Sequence, residues 1–220
     1  MTEIPGGKFE FEEYGKKRAE LVTVREFCLD TTEVTAAAYA SVCTSEGGRC
    51  KPAATDADLA GGPAESRAAR GKWCTAGRHD RDDHPVNCIS WTNAALYCEE
   101  GGKRLPTEME WEWVAGDGDR RSRYAGGADA LDSRACASNY GTQTGTCSVS
   151  SYPRDANRWG VRGMGGNVAE WLAPMGGGLK RFRGADWAEL LEVAFRTHPP
   201  FPNDHQSWYR DDRVGVRCAK

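Results

Sequence analysis

Polar and apolar residues alternate along Leu21-Val22-Thr23-Val24-Arg25-Glu26-Phe27, a period of two rich in β-branched side chains that predicts a half-buried strand. Ile4-Pro5-Gly6-Gly7-Lys8-Phe9 reads as a strand before it. The pattern then changes to a helical one. Thr35 has the character of an N-cap for a helix over 36–42, with Val34 placed to staple onto Tyr39. A second helix is predicted from just after Ser90 to about Glu100, ended by Gly101-Gly102. Thr107 and Glu110 have capping-box spacing for a third, running through Ala115 and closed by Gly116. Trp111 and Trp113 stand two apart on it and cannot share a face, so one is expected in the core and the other over a loop. Glu108, Glu110 and Glu112 read as acids complementing the helix dipole rather than as a catalytic cluster.

Beyond Gly118 the periodicity fades. Many of the 26 glycines and 10 prolines fall in this half, which predicts long connections wound on a small sheet. The hydrophilic stretch 51–83 is read as an excursion within one domain spanning 1–220, anchored near Trp73 and Cys74. A net charge of -3 gives no footprint for nucleic acid or an anionic membrane. No run approaches the roughly 18 apolar residues of a membrane span, and the N-terminus lacks a signal-peptide pattern.

Cysteine usage adds a constraint. Nine cysteines occur, with no Cys-x-x-Cys spacing that would suggest zinc. Pairing by proximity along the chain joins Cys43 to Cys50, Cys74 to Cys88 and Cys136 to Cys147. This favours an oxidising, extracytoplasmic or secreted setting, with reduced buried cysteines as the alternative.

Five segments carry a family resemblance: Pro85-Val86, Arg104-Leu105-Pro106-Thr107-Glu108, Gly166-Asn167-Val168-Ala169-Glu170-Trp171, Arg183-Gly184-Ala185-Asp186-Trp187 and Val214-Gly215-Val216-Arg217-Cys218. Along nearly the whole chain this series resembles the formylglycine-generating enzyme (sulfatase-modifying factor) family. The resemblance implies a loop-rich α+β fold, C-type-lectin-like and poor in regular secondary structure, and a bridge between Cys98 and Cys218, leaving Cys28 unpaired. A second family bridge falls on Ala115 and Val193, where both cysteines are missing. It also implies structural calcium held by Glu170 and the carbonyls of Gly165, Gly166 and Val168, the alternative being an internal hydrogen bond from Glu170 to loop amides. Asn139 matches part of a second calcium site that lacks its acid here.

The chemistry of the family is a different matter. Its copper oxidases carry two reactive cysteines shortly after a Gly-Gly-Ser-aromatic segment. Here Asp186 replaces the serine and no cysteine lies between Ala188 and Pro202, so no copper is expected. The iron-binding His-x-x-x-His-x-Glu motif of related sulfoxide synthases is missing too. Of the histidines, His84 reads as structural, and His205 stands near Asp204 and Asp211.

From His198 to Arg213 rigid aromatics mix with adaptable polar groups, a composition suited to a contact surface. Asn203, Asp204, His205, Trp208, Tyr209 and Arg210 are the candidate ligand-binding residues, with Asp186 and Trp187 beside them; for Trp208 and Tyr209 a core-plugging role is the alternative. In relatives with diversified residues, the corresponding region forms the ligand-binding face. The sequence therefore reads as a non-catalytic binding or sensory domain for a protein, peptide or glycan. An enzyme of another reaction, using Asp186, Asp204 or His205, is the alternative.

Overall fold

A computed structural model describes residues 1–12, 18–44, 48–54, 73–125, 136–137, 145–174, 178–188 and 204–220. Two small antiparallel pairs open the chain. β1 (Thr2–Ile4) lies against β4 (Phe27–Leu29), and β2 (Gly7–Phe11) against β3 (Glu20–Val24). Each of the two strands read from the sequence is thus divided between two sheets. Pro5 has no N–H to give a ladder, and a Cβ on Gly6 would stand 2.6 Å from the Val24 carbonyl oxygen, so the backbone crosses between sheets there.

The helices form where the caps place them. Thr35 accepts from the Ala38 amide ahead of α1 (Ala36–Val42), and Ser90 from the Asn93 amide ahead of α2 (Trp91–Glu100). Both bonds of the Thr107–Glu110 capping box are made at the start of α3 (Glu108–Ala115). In the second half, β5 (Ala169–Trp171), β6 (Lys180–Arg183), β7 (Asp204–His205) and β8 (Val214–Gly215) form a sheet in the order β7-β6-β5-β8. Within it β8 runs parallel to β5 and the other pairs are antiparallel. This small sheet amid long connections matches the composition, and the whole is the loop-rich α+β architecture that the resemblance implies.

Most apolar burial among the described residues is divided between two large clusters. One gathers Tyr39, Ile89, Leu105, Trp171, Val214 and Val216 between α1, α2 and the sheet. The other packs the N-terminal strands on α3 through Ile4, Phe9, Phe27, Trp111, Trp113 and Leu172. Helix α3 departs from expectation because it is enclosed. Trp111 and Trp113 are only 1% and 4% exposed, so neither covers a loop. The Trp113 indole donates to the Pro5 carbonyl at 3.0 Å and packs on Phe9 and Trp159. Its two sides face different neighbours, which lets residues two apart both find a core. Glu108 is likewise buried and paired with Arg181 and Arg183, a role beyond favouring the dipole.

Four disulfides join Cys43–Cys50, Cys74–Cys88, Cys98–Cys218 and Cys136–Cys147, and Cys28 keeps its thiol. Of the excursion, 55–72 lies outside the described residues, while Cys74 and Cys88 anchor its end in the interior. The Cys98–Cys218 bridge closes a sequence separation of 120 and ties α2 to the last segment. Chain-entropy reasoning gives such a closure roughly 5 kcal/mol, against roughly 2.5 kcal/mol for a short loop. Replacing Cys98 and Cys218 together by Ala should therefore lower the urea midpoint about twice as far as replacing Cys43 and Cys50.

Candidate functional site

The interior around β5 holds a charge pair completely removed from water. Arg217 is 0% exposed, and its Nε and Nη2 donate to both Glu170 oxygens at 2.7–2.9 Å. Its remaining donors reach the Asp30 carbonyl at 3.0 Å and the Arg162 carbonyl at 2.6 Å. From the other side the Trp111 indole donates to Glu170 at 2.8 Å. Burial alone would lower the Arg217 pKa, but the adjacent Glu170 carboxylate outweighs it and holds the guanidinium charged. A lone Arg within the otherwise apolar run from Val214 to Ala219 was the sequence signal for this pair.

That arrangement bears on the calcium expectation. Glu170 is the only carboxylate in the set with Gly165, Gly166 and Val168, and a guanidinium and an indole occupy both of its oxygens. An ion there would have to take an oxygen from Arg217, so the residues as arranged do not fit calcium at Glu170. Nor are its partners the loop amides of the alternative reading. The neighbouring Asn167, at φ +67°, clamps the turn instead, accepting from the Cys147 amide at 2.9 Å and donating to its carbonyl at 3.2 Å. Among the described residues no three His, Cys, Asp or Glu side chains gather into a metal-holding group. Asn139 lies outside the described residues.

On the surface side of β5 the predicted contact residues come together in part. Pairing of β7 with β6 sets His205 opposite Lys180. The His205 ring lies between Tyr209, with centroids 4.0 Å apart, and Phe182, at 4.9 Å, and Trp171 meets it edge-on. Tyr209 donates to Asp211 at 2.5 Å, and the buried Asp211 also accepts from the Arg213 amide. Nearby, Lys180 Nζ stands 4.1 Å above the Trp91 ring. Trp208 points outward at 63% exposure, which leaves the core-plugging role to the half-buried Tyr209; Arg210 is partly exposed.

Other predicted residues fall elsewhere. Trp187 is 7% exposed, donates to the Asp212 carbonyl at 3.1 Å and packs against Trp73, so it supports the loop from within. Partly buried Asp186 accepts from the Ala188 amide at 2.8 Å and stands 4.0 Å from Arg213. Asn203 and the rest of 189–203 lie outside the described residues, and Asp204 is described only through its backbone pairing. His84 has a structural place, bonded to the Thr146 hydroxyl at 3.0 Å, with burial and Arg81 lowering its pKa.

A further feature had no signal in the sequence. Glu33, in the polar run before α1, is 2% exposed, and neither of its carboxylate oxygens has a hydrogen-bond partner. Asp155 accepts from the Gly163 amide at 2.9 Å through one oxygen, while its other oxygen is buried without a partner. Burial raises Glu33 to about 8 despite the nearby Arg217, with Glu170 and Asp155 adding to the rise. Asp155 is raised to about 6, again by burial first.

Comparison with known proteins gives this geometry its context. The model of the sulfatase-modifying factor enzyme 1-like domain matches residues 1–220. The chain therefore belongs to the family of the formylglycine-generating enzymes, and its fold is theirs. It is 36% identical over 160 residues to a serine/threonine-protein kinase, pkn1, of Chlamydia pneumoniae, covering 62% of this chain and 24% of the kinase. It is 34% identical over 165 residues to the formylglycine-generating enzyme of Thermomonospora curvata, covering 64% and 52%. With a mouse protein named inactive C-alpha-formylglycine-generating enzyme 2, identity is 30% over 161 residues, covering 66% and 51%. The chain thus spans between about a quarter and about half of the length of these relatives. Among solved structures, the Treponema denticola variable protein 1 superposes with a TM-score of 0.71 at 20% identity, covering 100% of this chain and 94% of that one. Four disulfides suit an oxidising environment, and no helix among the described residues is long and apolar enough to cross a membrane.

Arg217→Ala should cost about 3–5 kcal/mol in denaturant unfolding, because it strands Glu170 as an unpaired buried charge. Glu33 should leave its mark on the pH profile of the EDTA-treated protein. Its folded pKa is raised, so the native state holds a proton that the unfolded chain releases between pH 4.5 and about 8. The stability of wild type relative to Glu33→Gln should therefore fall as pH rises through that window, as read by urea unfolding.

Proposed function

We propose that the chain is a non-catalytic binding domain, acting as one unit over residues 1–220 in an extracytoplasmic or secreted setting. It presents the Trp208 face to a protein, peptide or glycan. The observation that carries this reading is the exposed Trp208 on a loop whose neighbours are locked. His205 is stacked on Phe182 and Tyr209, Trp171 meets both His205 and Tyr209 edge-on, and the Ser207 carbonyl accepts from the Thr92 amide at 3.3 Å. A large aromatic carried on an anchored loop brings contact area without the cost of ordering the backbone beneath it, which suits residues that dominate binding energy. Lys180, Arg210 and Trp91 supply a partly polar surround.

Thiol chemistry supports the same reading. Eight of the nine cysteines are in bridges, so only Cys28 is available as a thiolate, whereas copper held in the family's manner needs two. Asp186 caps a neighbouring amide, and both faces of the His205 ring are covered, roles that favour scaffolding over proton transfer. The mouse relative that is named inactive supports a non-catalytic reading.

Peptide and glycan arrays probed with wild type and with Trp208→Ala test the proposal. Wild-type hits should weaken at least about tenfold in the variant, at an unchanged melting temperature. Hits indifferent to Trp208, or conversion of a cysteine-containing sulfatase peptide to its aldehyde by the wild-type chain with copper, would overturn it.

A further inference from the structure

Glu33 and Asp155 line one small cavity together with Ser148, Tyr152, Gly163 and Gly166. Gly163 stands between the two acids. Its amide holds one Asp155 oxygen, and on its other side a Cβ would lie 2.4–2.5 Å from the Glu33 carboxylate. With φ at +73° and no side chain, Gly163 lets both carboxylates close on one space. Three carboxylate oxygens are left there, buried and without partners.

Buried carboxylates without partners are rare because desolvation costs several kcal/mol each. Arg217 does not relieve these two. It acts on them through space, but its hydrogen bonds go to Glu170 and to the Asp30 and Arg162 carbonyls. Arg217 and Glu170 cancel, so Glu33 and Asp155 in ionised form leave a net charge of about −2 in the interior, which a divalent cation would neutralise. Oxygen donors on irregular backbone suit a hard ion that accepts variable coordination and completes its shell with carbonyls and water. Two carboxylates without His or Cys do not suit a soft transition metal.

We propose that Glu33 and Asp155 form a hard-cation site that takes a divalent ion of the calcium class. Its carboxylates differ from the one expected at Glu170. The ion would fasten the segment before α1 to the 153–163 loop beside Arg217, joining parts of the chain far apart in sequence.

The EDTA-treated 220-residue chain, titrated calorimetrically with calcium chloride at a pH of about 7.5, should show one saturable site. Its melting temperature should rise about 5 °C in about 5 mM calcium chloride. Glu33→Gln and Asp155→Asn should each lose that response, with Glu33→Gln melting no lower than metal-free wild type because it removes an unpaired buried acid. In wild type, calcium should also move the side-chain carboxyl ¹³C resonances of both residues, which locates the ion without any variant. Absence of a saturable site, unmoved carboxyl resonances, retention of the response in both variants, or an equal rise in sodium chloride at matched ionic strength would each overturn the proposal.

Discussion

The structure depends on the encounter of Arg217 with Glu170. Bringing a guanidinium and a carboxylate out of water is unfavourable unless every strong donor and acceptor finds a partner. Here the satisfying groups come from five separate places: Glu170 on β5, Trp111 on α3, the Asp30 carbonyl just after β4, the Arg162 carbonyl in the loop before β5, and Arg217 itself after β8. None can move far without stranding a charge. The pair therefore fixes the mutual placement of elements that have few regular ladders to hold them.

β5 transmits that constraint to the surface. Glu170 turns toward the charge pair, while the next residue, Trp171, donates to the Ile89 carbonyl and sits beneath Phe182, His205 and Tyr209. A strand of three residues thus carries the most buried electrostatics on one face and the platform of the aromatic surface on the other. The rigidity of the Trp208 loop originates in the same place. Short strands suffice because side chains and four disulfides provide the cross-links that a larger sheet would supply through its backbone.

Much of this was legible in the sequence because it is governed by local rules. Thr35, Ser90 and Thr107 mark the starts of the three α-helices among the described residues, since a capping hydroxyl acts within three residues of itself. The four bridges follow from proximity and family resemblance. What escaped was non-local. Trp111 and Trp113 are both interior because two different layers meet α3, and a helical wheel contains neither layer. Trp187 shares its spacing with exposed neighbours, yet the position of Trp73 decides its burial. Glu33 looks like any acid in a polar run. Only the fold brings Asp155, Gly163 and Arg217 around it.

The Arg217 contact also dictates timing. Its partner at Asp30 is 187 residues away along the chain, and the disulfide beside it closes on Cys98 across 120. While a ribosome is still extending the polypeptide, Glu170 and Trp111 have no cation to receive. Helices α1 to α3 can form early from their own caps, but the interior stays unsealed until Arg217 and Cys218 emerge. Such topology makes maturation slow and leaves apolar surface uncovered meanwhile, so the protein's vulnerable period is the interval between synthesis of Glu170 and arrival of the closing strand.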